Sequence, residues 1–392
     1  MITISERVKY IEPSRSIGLA TKVQELKNRG LPILSLIVGE PDMPPPREVM
    51  EEMLEAQLRG EWGYGPVSGT PRLRELIAKD AEKTYGMKFG RENVLVSNGS
   101  KQILYNLFQT ILNPGDEVII PIPYWVTFPE SVKLAGGKPV LAPSLPNHHL
   151  DLSVIRRLIG PKTRAIILNS PNNPSGAVYG KDDLVQILNW AKENNFLIIS
   201  DEAYAALVYE GTFTSPMHLH QTLGTKILDN VAVVQTFSKA YAMTGHRVGH
   251  IIGHPELIKA IDALQGHVCG NVCTPAQAAA AMALTMNQEY FVSMKKTFAM
   301  RRELAFKAFN PIFPMSKPEG AFYLFPNCQH YYNDHIRNSN ELANYILEQA
   351  HVALLPGQAF GLENHLRISF AAKDQDIIEA ATRISKVLKG NP

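Results

Sequence analysis

The feature that most constrains this chain is a repeated alternation of apolar runs of strand length with helical patterns. The runs fall at 94–96, 117–121, 165–169, 197–200 and 231–235, with helical periodicity at 47–59, 101–112 and 184–193 between or before them. Short, unbroken apolar strands separated by helices are the mark of parallel βαβ units, whose sheet is buried on both faces. Helix boundaries are written in the same stretch. Thr70-Pro71 supplies an N-cap and a proline at the first helical position, and Asn113-Pro114-Gly115-Asp116 stops the helix before it.

The flanks differ. Pro13-Ser14 starts a helix at 18–28 that Gly30 ends, and 33–38 reads as a short strand running into Gly39-Glu40-Pro41-Asp42. A long helical stretch at 288–309 leads to strands at 321–325 and 365–370, accompanied by helices at 341–349 and 375–388. The expected organisation is an arm with part of a smaller unit at 1–45, a large α/β unit at 46–289 and a small α/β unit at 290–392. A length of 392 residues suits two such units.

Composition excludes several classes. Lys and Arg number 39 against 37 Asp and Glu, and no block of like charge offers a nucleic-acid surface. The 12 histidines lack metal-ligand spacing; His148-His149 and His218-Leu219-His220 read as exposed loop residues, and no metal site is expected. Cys269, Cys273 and Cys328 form no CxxC pair and read as free thiols, with Cys269 and Cys273 as buried small residues. No apolar run reaches membrane-spanning length, and Met1 to Arg7 lacks the features of an export signal, so a cytoplasmic setting is expected.

In a parallel α/β sheet, ligands sit beyond the carboxyl ends of the strands. The residues there are Asn98-Gly99-Ser100-Lys101, Pro123-Tyr124-Trp125, Asn172-Asn173-Pro174-Ser175-Gly176, Asp201-Glu202-Ala203-Tyr204 and Thr236-Phe237-Ser238-Lys239, with Arg247 eight residues on. Asn98-Gly99-Ser100 opens a helix whose free N–H groups attract phosphate, and Thr236, Ser238 and Arg247 add hydroxyls and a guanidinium fork. GxGxxG is missing, and Gly63 to Thr70 lacks the Walker lysine, so a phosphorylated cofactor other than a nucleotide fits better. Pyridoxal phosphate asks for a Schiff-base lysine, an acid for its pyridine nitrogen and a phosphate cradle; Lys239 and Asp201 answer the first two.

Gly39-Glu40-Pro41-Asp42, Asn98-Gly99-Ser100-Lys101-Gln102, Pro171-Asn172-Asn173-Pro174-Ser175-Gly176, Ser200-Asp201-Glu202-Ala203-Tyr204 and Ser238-Lys239 through Gly245-His246-Arg247, in this order and spacing, resemble the class I, fold-type-I aminotransferases, in particular the bacterial aspartate aminotransferase branch. The resemblance covers essentially the whole chain. It implies a large domain with a mostly parallel seven-stranded sheet covered by helices, plus a smaller α/β domain.

It further implies pyridoxal phosphate as cofactor. Lys239 would be the Schiff-base lysine and proton shuttle, and Asp201 the partner of the ring nitrogen. Tyr204 and Asn173 would bond the ring oxygen, and Trp125 would stack on the ring. Gly99, Ser100, Lys101, Thr236, Ser238 and Arg247 would line the phosphate side. Tyr64 would reach the phosphate of a neighbouring subunit, which makes the active unit a homodimer. Arg367 would clamp the substrate α-carboxylate beside Gly39, Asn173 and Trp125, and Lys101 would reach a distal carboxylate.

The implied reaction moves the amino group of L-aspartate or L-glutamate to a 2-oxo acid such as 2-oxoglutarate by a ping-pong cycle. The rival readings are an aminotransferase for aromatic, prephenate-like or neutral amino acids, and a pyridoxal-phosphate β-elimination lyase. Two positions depart from the pattern. His246 stands where a tryptophan is usual, and Arg15 lies in the arm where a small residue is expected; both bear on substrate choice.

Overall fold

The computed structural model describes residues 2–9, 11, 15–220, 224–287 and 289–389. Its centre is a seven-stranded sheet. The strands are β2 (Val94–Ser97), β3 (Glu117–Pro121), β4 (Lys138–Ala142), β5 (Thr163–Asn169), β6 (Leu197–Asp201), β7 (Val231–Thr236) and β8 (Gly249–Ile252), in the order β2-β8-β7-β6-β5-β3-β4. Strand β8, which the apolar-run pattern passes over, runs antiparallel to both β2 and β7; the other pairings are parallel.

The unbroken apolar runs have a physical cause. Alternate side chains enter different cores. Val94, Val96, Ile166, Leu168, Ile198, Val231 and Val233 face one, while Leu95, Ala165, Ile167, Ile199, Ala232 and Val234 face the other. Helices Pro71–Tyr85 and Lys181–Asn194 cover the first face, and helix Ser100–Ile111 the second. Thr70 caps its helix as its sequence implies, its Oγ1 accepting from the Leu73 N–H at 3.4 Å.

Beyond this sheet lies a second apolar core, built by helices Glu289–Phe309, Ser339–Ala350 and Asp374–Lys389. They pack on a three-stranded antiparallel sheet of β9 (Tyr323–Leu324), β11 (Leu355–Pro356) and β12 (Leu366–Ser369). The N-terminal segment joins this layer, because β1 (Leu34–Ser35) pairs in parallel with β10 (Val352–Ala353).

Several elements are shorter than their apolar runs. Of 33–38 only β1 is laddered, because beyond Leu36 the carbonyls turn to side chains: Arg367 donates to Ile37 O and Lys239 to Gly39 O. Of 321–325 only β9 is strand, since Ala321 takes φ +56°.

Three further readings need correction. Cys269 and Cys273 are exposed, not buried, because they flank the turn between helices Pro255–Val268 and Thr274–Thr285 instead of lying within either; Cys328 is buried, and all three are free. His148 and His149 are half-buried: His148 packs edge-on against Phe325 and His365, and His149 pairs with Glu319 at 3.3 Å. His218 and His220 are also half-buried, with the Nδ1 of His218 accepting from the Ser215 N–H at 2.9 Å to cap a short 3-10 turn. Pro13 and Ser14 lie outside the described residues.

Candidate active site

Three of the parallel strands end on polar residues at one edge of the sheet: Asn169 on β5, Asp201 on β6 and Thr236 on β7, with Asn169 and Asp201 register partners. Over this edge opens a cavity of about 890 Å³. Its lining brings together Lys239, Asp201, Tyr204, Asn173, Trp125, Ser100, Lys101, Ser238, Arg247, Gly39 and Arg367.

Lys239 projects from the short helix Phe237–Ala240 that follows β7, and Nζ donates to Gly39 O at 2.5 Å. Burial lowers its pKa to about 8 against the opposing pull of Glu40. Asp201 is 2% exposed, and burial raises its pKa to about 7 despite a bond from the Ala203 N–H at 3.1 Å. An acid and an amine displaced toward each other's range at adjacent strand ends are the arrangement that proton transfer needs. Next to them Tyr204 and Tyr323 share a hydroxyl–hydroxyl bond of 2.8 Å, and burial pushes the Tyr204 phenol further up.

Arg367 sits on β12, 5% exposed, between the rings of Tyr323 at 4.3 Å and Phe360 at 5.0 Å. It donates to Ile37 O at 2.7 Å and to Asn173 Oδ1 at 3.0 Å, while its buried Nε has no partner. Among the described residues no carboxylate pairs with it. A buried guanidinium held only by neutral acceptors is costly unless an anion joins it, and its pKa is accordingly lowered, by burial first.

The other end of the cavity is an anion cradle. Ser100 is the first residue of helix Ser100–Ile111, and Gly99 before it takes φ +81°. A side chain at Gly99 would lie 2.6 Å from the Arg247 Nη2, so only glycine admits the fork so close to the helix start. A side chain at Gly249 would likewise meet the Ser100 nitrogen, at 2.8 Å. Arg247 itself takes φ +56°, strained backbone that costs about 1–3 kcal/mol and tends to mark functional positions. Its fork bonds Thr244 O at 2.9 Å and Asn98 O at 3.2 Å. Thr236 stands behind the cavity wall, its Oγ1 donating to Ser238 Oγ at 2.9 Å and accepting from the Ser238 N–H at 3.2 Å.

At the mouth Lys101 Nζ lies 5.3 Å from the Trp125 ring centroid. Burial of its amine end and the nearby Arg247 lower its pKa. Not every expected residue is gathered here. Gly99 and Thr236 support the lining from behind, and His246 is half-buried outside it. The side chain of Arg15 lies outside the described residues. Tyr64 is fully exposed and does not line the cavity of its own chain. Conversely, Ala20, Thr21 and Gln24 of helix Arg15–Asn28 form a wall, joined by Glu40, Tyr323 and Phe360. Glu40 adjoins Gly39 in a motif already singled out, whereas only the tertiary fold brings Ala20, Thr21, Gln24, Tyr323 and Phe360 to the site.

Residues 32–384 match the family model for aminotransferase class I and II. An aspartate aminotransferase of Bacillus sp. (strain YM-2) is 37% identical over 391 residues, covering 98% of this chain and 99% of that one. An aspartate/prephenate aminotransferase of Thermus thermophilus is 37% identical over 392 residues, with 98% of each chain covered. Among solved structures, aspartate aminotransferase from Thermus thermophilus with maleate superposes with a TM-score of 0.93 at 36% identity, covering 99% of this chain and all of that one.

Proposed function

From the premise that this chain belongs to the class I and II aminotransferase family, we propose that it moves the amino group of L-aspartate or L-glutamate to a 2-oxo acid, using pyridoxal phosphate held in the 890 Å³ cavity. The observation that carries this reading is that Lys239 and Asp201 line one cavity from adjacent strand ends, between an anion cradle and the guanidinium of Arg367, which pairs with no carboxylate among the described residues.

The residues fit that cofactor. The cradle of Ser100, Ser238 and Arg247, closed by Gly99 and Gly249 and braced by Thr236, suits a phosphate. Asp201, carrying a single bond from a backbone N–H, suits a protonated ring nitrogen, whose charge would hold it ionised. Trp125 offers a face for the ring, and Tyr204 and Asn173 offer donors for its oxygen. When bound, the cofactor supplies the electron sink that makes the Cα–H bond labile.

The chain's own groups do the rest. Lys239 Nζ, with its pKa lowered toward neutrality, takes and returns the proton at Cα. Arg367 receives the α-carboxylate on its fork, with Asn173 and the Ile37 carbonyl fixing the guanidinium plane. Lys101, lining the cavity over Trp125, would address a distal carboxylate and so favour dicarboxylic substrates. Donor and acceptor use one site in turn, so the cycle is ping-pong.

The homodimer belongs to the same proposal. Tyr64 is fully exposed beside Trp62, and Met50, Leu54 and Leu58 make an exposed apolar stripe on helix Arg47–Leu58. Covering that stripe with a second copy would carry Tyr64 toward the partner's cradle. The residue ranges 1–45, 46–289 and 290–392 are proposed as arm, large domain and small domain. A cytoplasmic setting is inferred from the three free thiols; among the described residues no helix is long and apolar enough to cross a membrane.

The test is spectroscopic. Protein loaded with pyridoxal phosphate should change its visible absorption on adding L-aspartate without an acceptor, and 2-oxoglutarate should reverse the change. Release of ammonia instead would turn the assignment to elimination. A band that ignores aspartate but answers phenylalanine would turn it to aromatic substrates. A Lys239→Ala variant that still cycles would remove the lysine from its role.

A further inference from the structure

The segment from Leu36 to Pro44 touches two of the groups proposed to act, Lys239 and Arg367. Its first part is tied to the C-terminal layer: Leu36 N–H donates to Ala353 O at 3.0 Å, and Leu36 O accepts from the Ser369 N–H at 2.8 Å. Its middle offers the Ile37 carbonyl to Arg367 at 2.7 Å and the Gly39 carbonyl to Lys239 at 2.5 Å. From Gly39 onward the segment has left the β-ladder, so something else must fix the height of those carbonyls.

The long helix Glu289–Phe309 does so at two points. Arg301 donates from Nη1 to Asp42 Oδ1 at 2.5 Å, and Tyr290 OH donates to Pro44 O at 2.9 Å. Arg301 also donates from Nε to Asp374 Oδ1 at 3.1 Å, at the start of helix Asp374–Lys389. The same helix meets the lysine segment, because Phe291 packs edge-on against Tyr241 with ring centroids 4.5 Å apart. One rigid element therefore spans the chain on both sides of the Lys239–Gly39 contact.

A solvated ion pair contributes little. Arg301 is not one: its side chain is only 12% exposed and bonds two carboxylates from different elements, with Asp42 itself 27% exposed. Asp42 stands three residues past Gly39, a span of at most about 10 Å of chain. Slack at Asp42 is therefore felt at the Gly39 and Ile37 carbonyls.

We propose that Arg301 is a positioning residue for the reaction: through Asp42 it holds the Gly39 carbonyl against Lys239 and the Ile37 carbonyl against Arg367, and so governs amino-acid affinity more than the chemical step. The inference rests on the roles given above to Lys239 and Arg367.

The experiment compares R301Q, R301K and D374N with the parent, loaded with pyridoxal phosphate. Steady-state rates are measured with L-aspartate and 2-oxoglutarate, alongside hydrogen exchange of residues 37–43 and Tm. R301Q should raise KM for L-aspartate about tenfold, the effect of losing one charge-assisted hydrogen bond, with kcat within about twofold. The amides of 37–43 should exchange faster. R301K, which can still reach Asp42, should recover part of both effects. D374N should leave KM close to the parent value, since Asp374 is 65% exposed and the Asp42 bond remains.

A lowered Tm with unchanged KM and unchanged exchange at 37–43 would make Arg301 a structural residue only and overturn the proposal. So would a fall in kcat at constant KM. If R301Q does not fold, D42N carries the same test with the same two outcomes. A parent protein inert toward every amino acid would overturn the functional reading instead, while the exchange measurement would still decide whether Arg301 holds the loop.

Discussion

Replacing Arg367 by lysine keeps the charge and removes the fork. The guanidinium now divides its donors, with Nη2 on Ile37 O at 2.7 Å, Nη1 on Asn173 Oδ1 at 3.0 Å and the remaining N–H groups left for a carboxylate. An ammonium is a single point with three donors and cannot reproduce a planar bidentate contact while holding both neutral acceptors. At least one charge-assisted bond of the pair is lost, about 2–3 kcal/mol. At about 1.4 kcal/mol per decade, kcat/KM should fall between roughly 30- and 150-fold. The assay is the initial rate with L-aspartate and, separately, with L-alanine, each against 2-oxoglutarate. Because the α-carboxylate is common to both donors, the two losses should agree within about threefold. A loss confined to aspartate would refute the reasoning and give Arg367 the distal carboxylate. A loss below threefold for both would mean that the buried fork does not meet substrate at all.

Two further outcomes follow from other groups. Lys101→Ala should lower kcat/KM for L-aspartate by about tenfold or more while leaving L-alanine nearly unaffected, the value of one charge-assisted bond to a distal carboxylate; equal losses for both donors would assign Lys101 to the phosphate side. His148 and His365 predict the acid limb of stability. Burial lowers their pKa values to about 4 and about 3, His148 being lowered also by His149 and His365 by His148. Both values lie below the unfolded value of about 6.5, so their neutral forms favour the fold above about pH 6.5, and the advantage is lost as pH falls below it. Between about pH 6.5 and 5 each costs about 2 kcal/mol, which for this length lowers Tm by about 5 °C in total. A His148→Gln, His365→Gln double variant should flatten that slope in a calorimetric series from pH 7 to 5; an unchanged slope would place the titration elsewhere.

How much of this was legible in the sequence depends on whether a residue's role is local or tertiary. The residues at and after the ends of β2, β6 and β7 are legible, because these strands deliver their carboxyl ends to the same edge; that gathers Ser100, Asp201, Ser238 and Lys239 at one site. Strand β8 was not, since a four-residue segment with a glycine and a histidine carries no apolar run, although it pairs with both β2 and β7. The 33–38 run looks like strand throughout because apolarity cannot tell a ladder from a segment whose carbonyls serve side chains. Burial of His148 is illegible for a related reason: its ring packs on Phe325 and His365, far away in the chain, and no spacing announces it.

The same division explains why the chemistry of the site, unlike its walls, could be named early. Each chemical group has an energetic reason to sit where it does. Asp201 is pushed to about 7, Lys239 down to about 8, and Arg367 is buried without a carboxylate. Left to packing alone, three such groups would be replaced by apolar residues, because an unpaired buried charge costs more than it returns. Each, however, suits one group of the proposed ligands: a protonated ring nitrogen for the acid, a carbonyl for the amine, a carboxylate for the guanidinium. The cavity walls carry no comparable constraint. Ala20 and Gln24 reach the cavity through the packing of the N-terminal helix. On the proposed function, Lys101 and the helix carrying Gln24 line the side of the cavity that bears on donor choice, so chimeras exchanging residues 18–28 should shift donor preference while leaving the spectral response to pyridoxal phosphate intact. A chimera with the parent's donor preference would restrict that choice to Lys101 and the residues around Trp125.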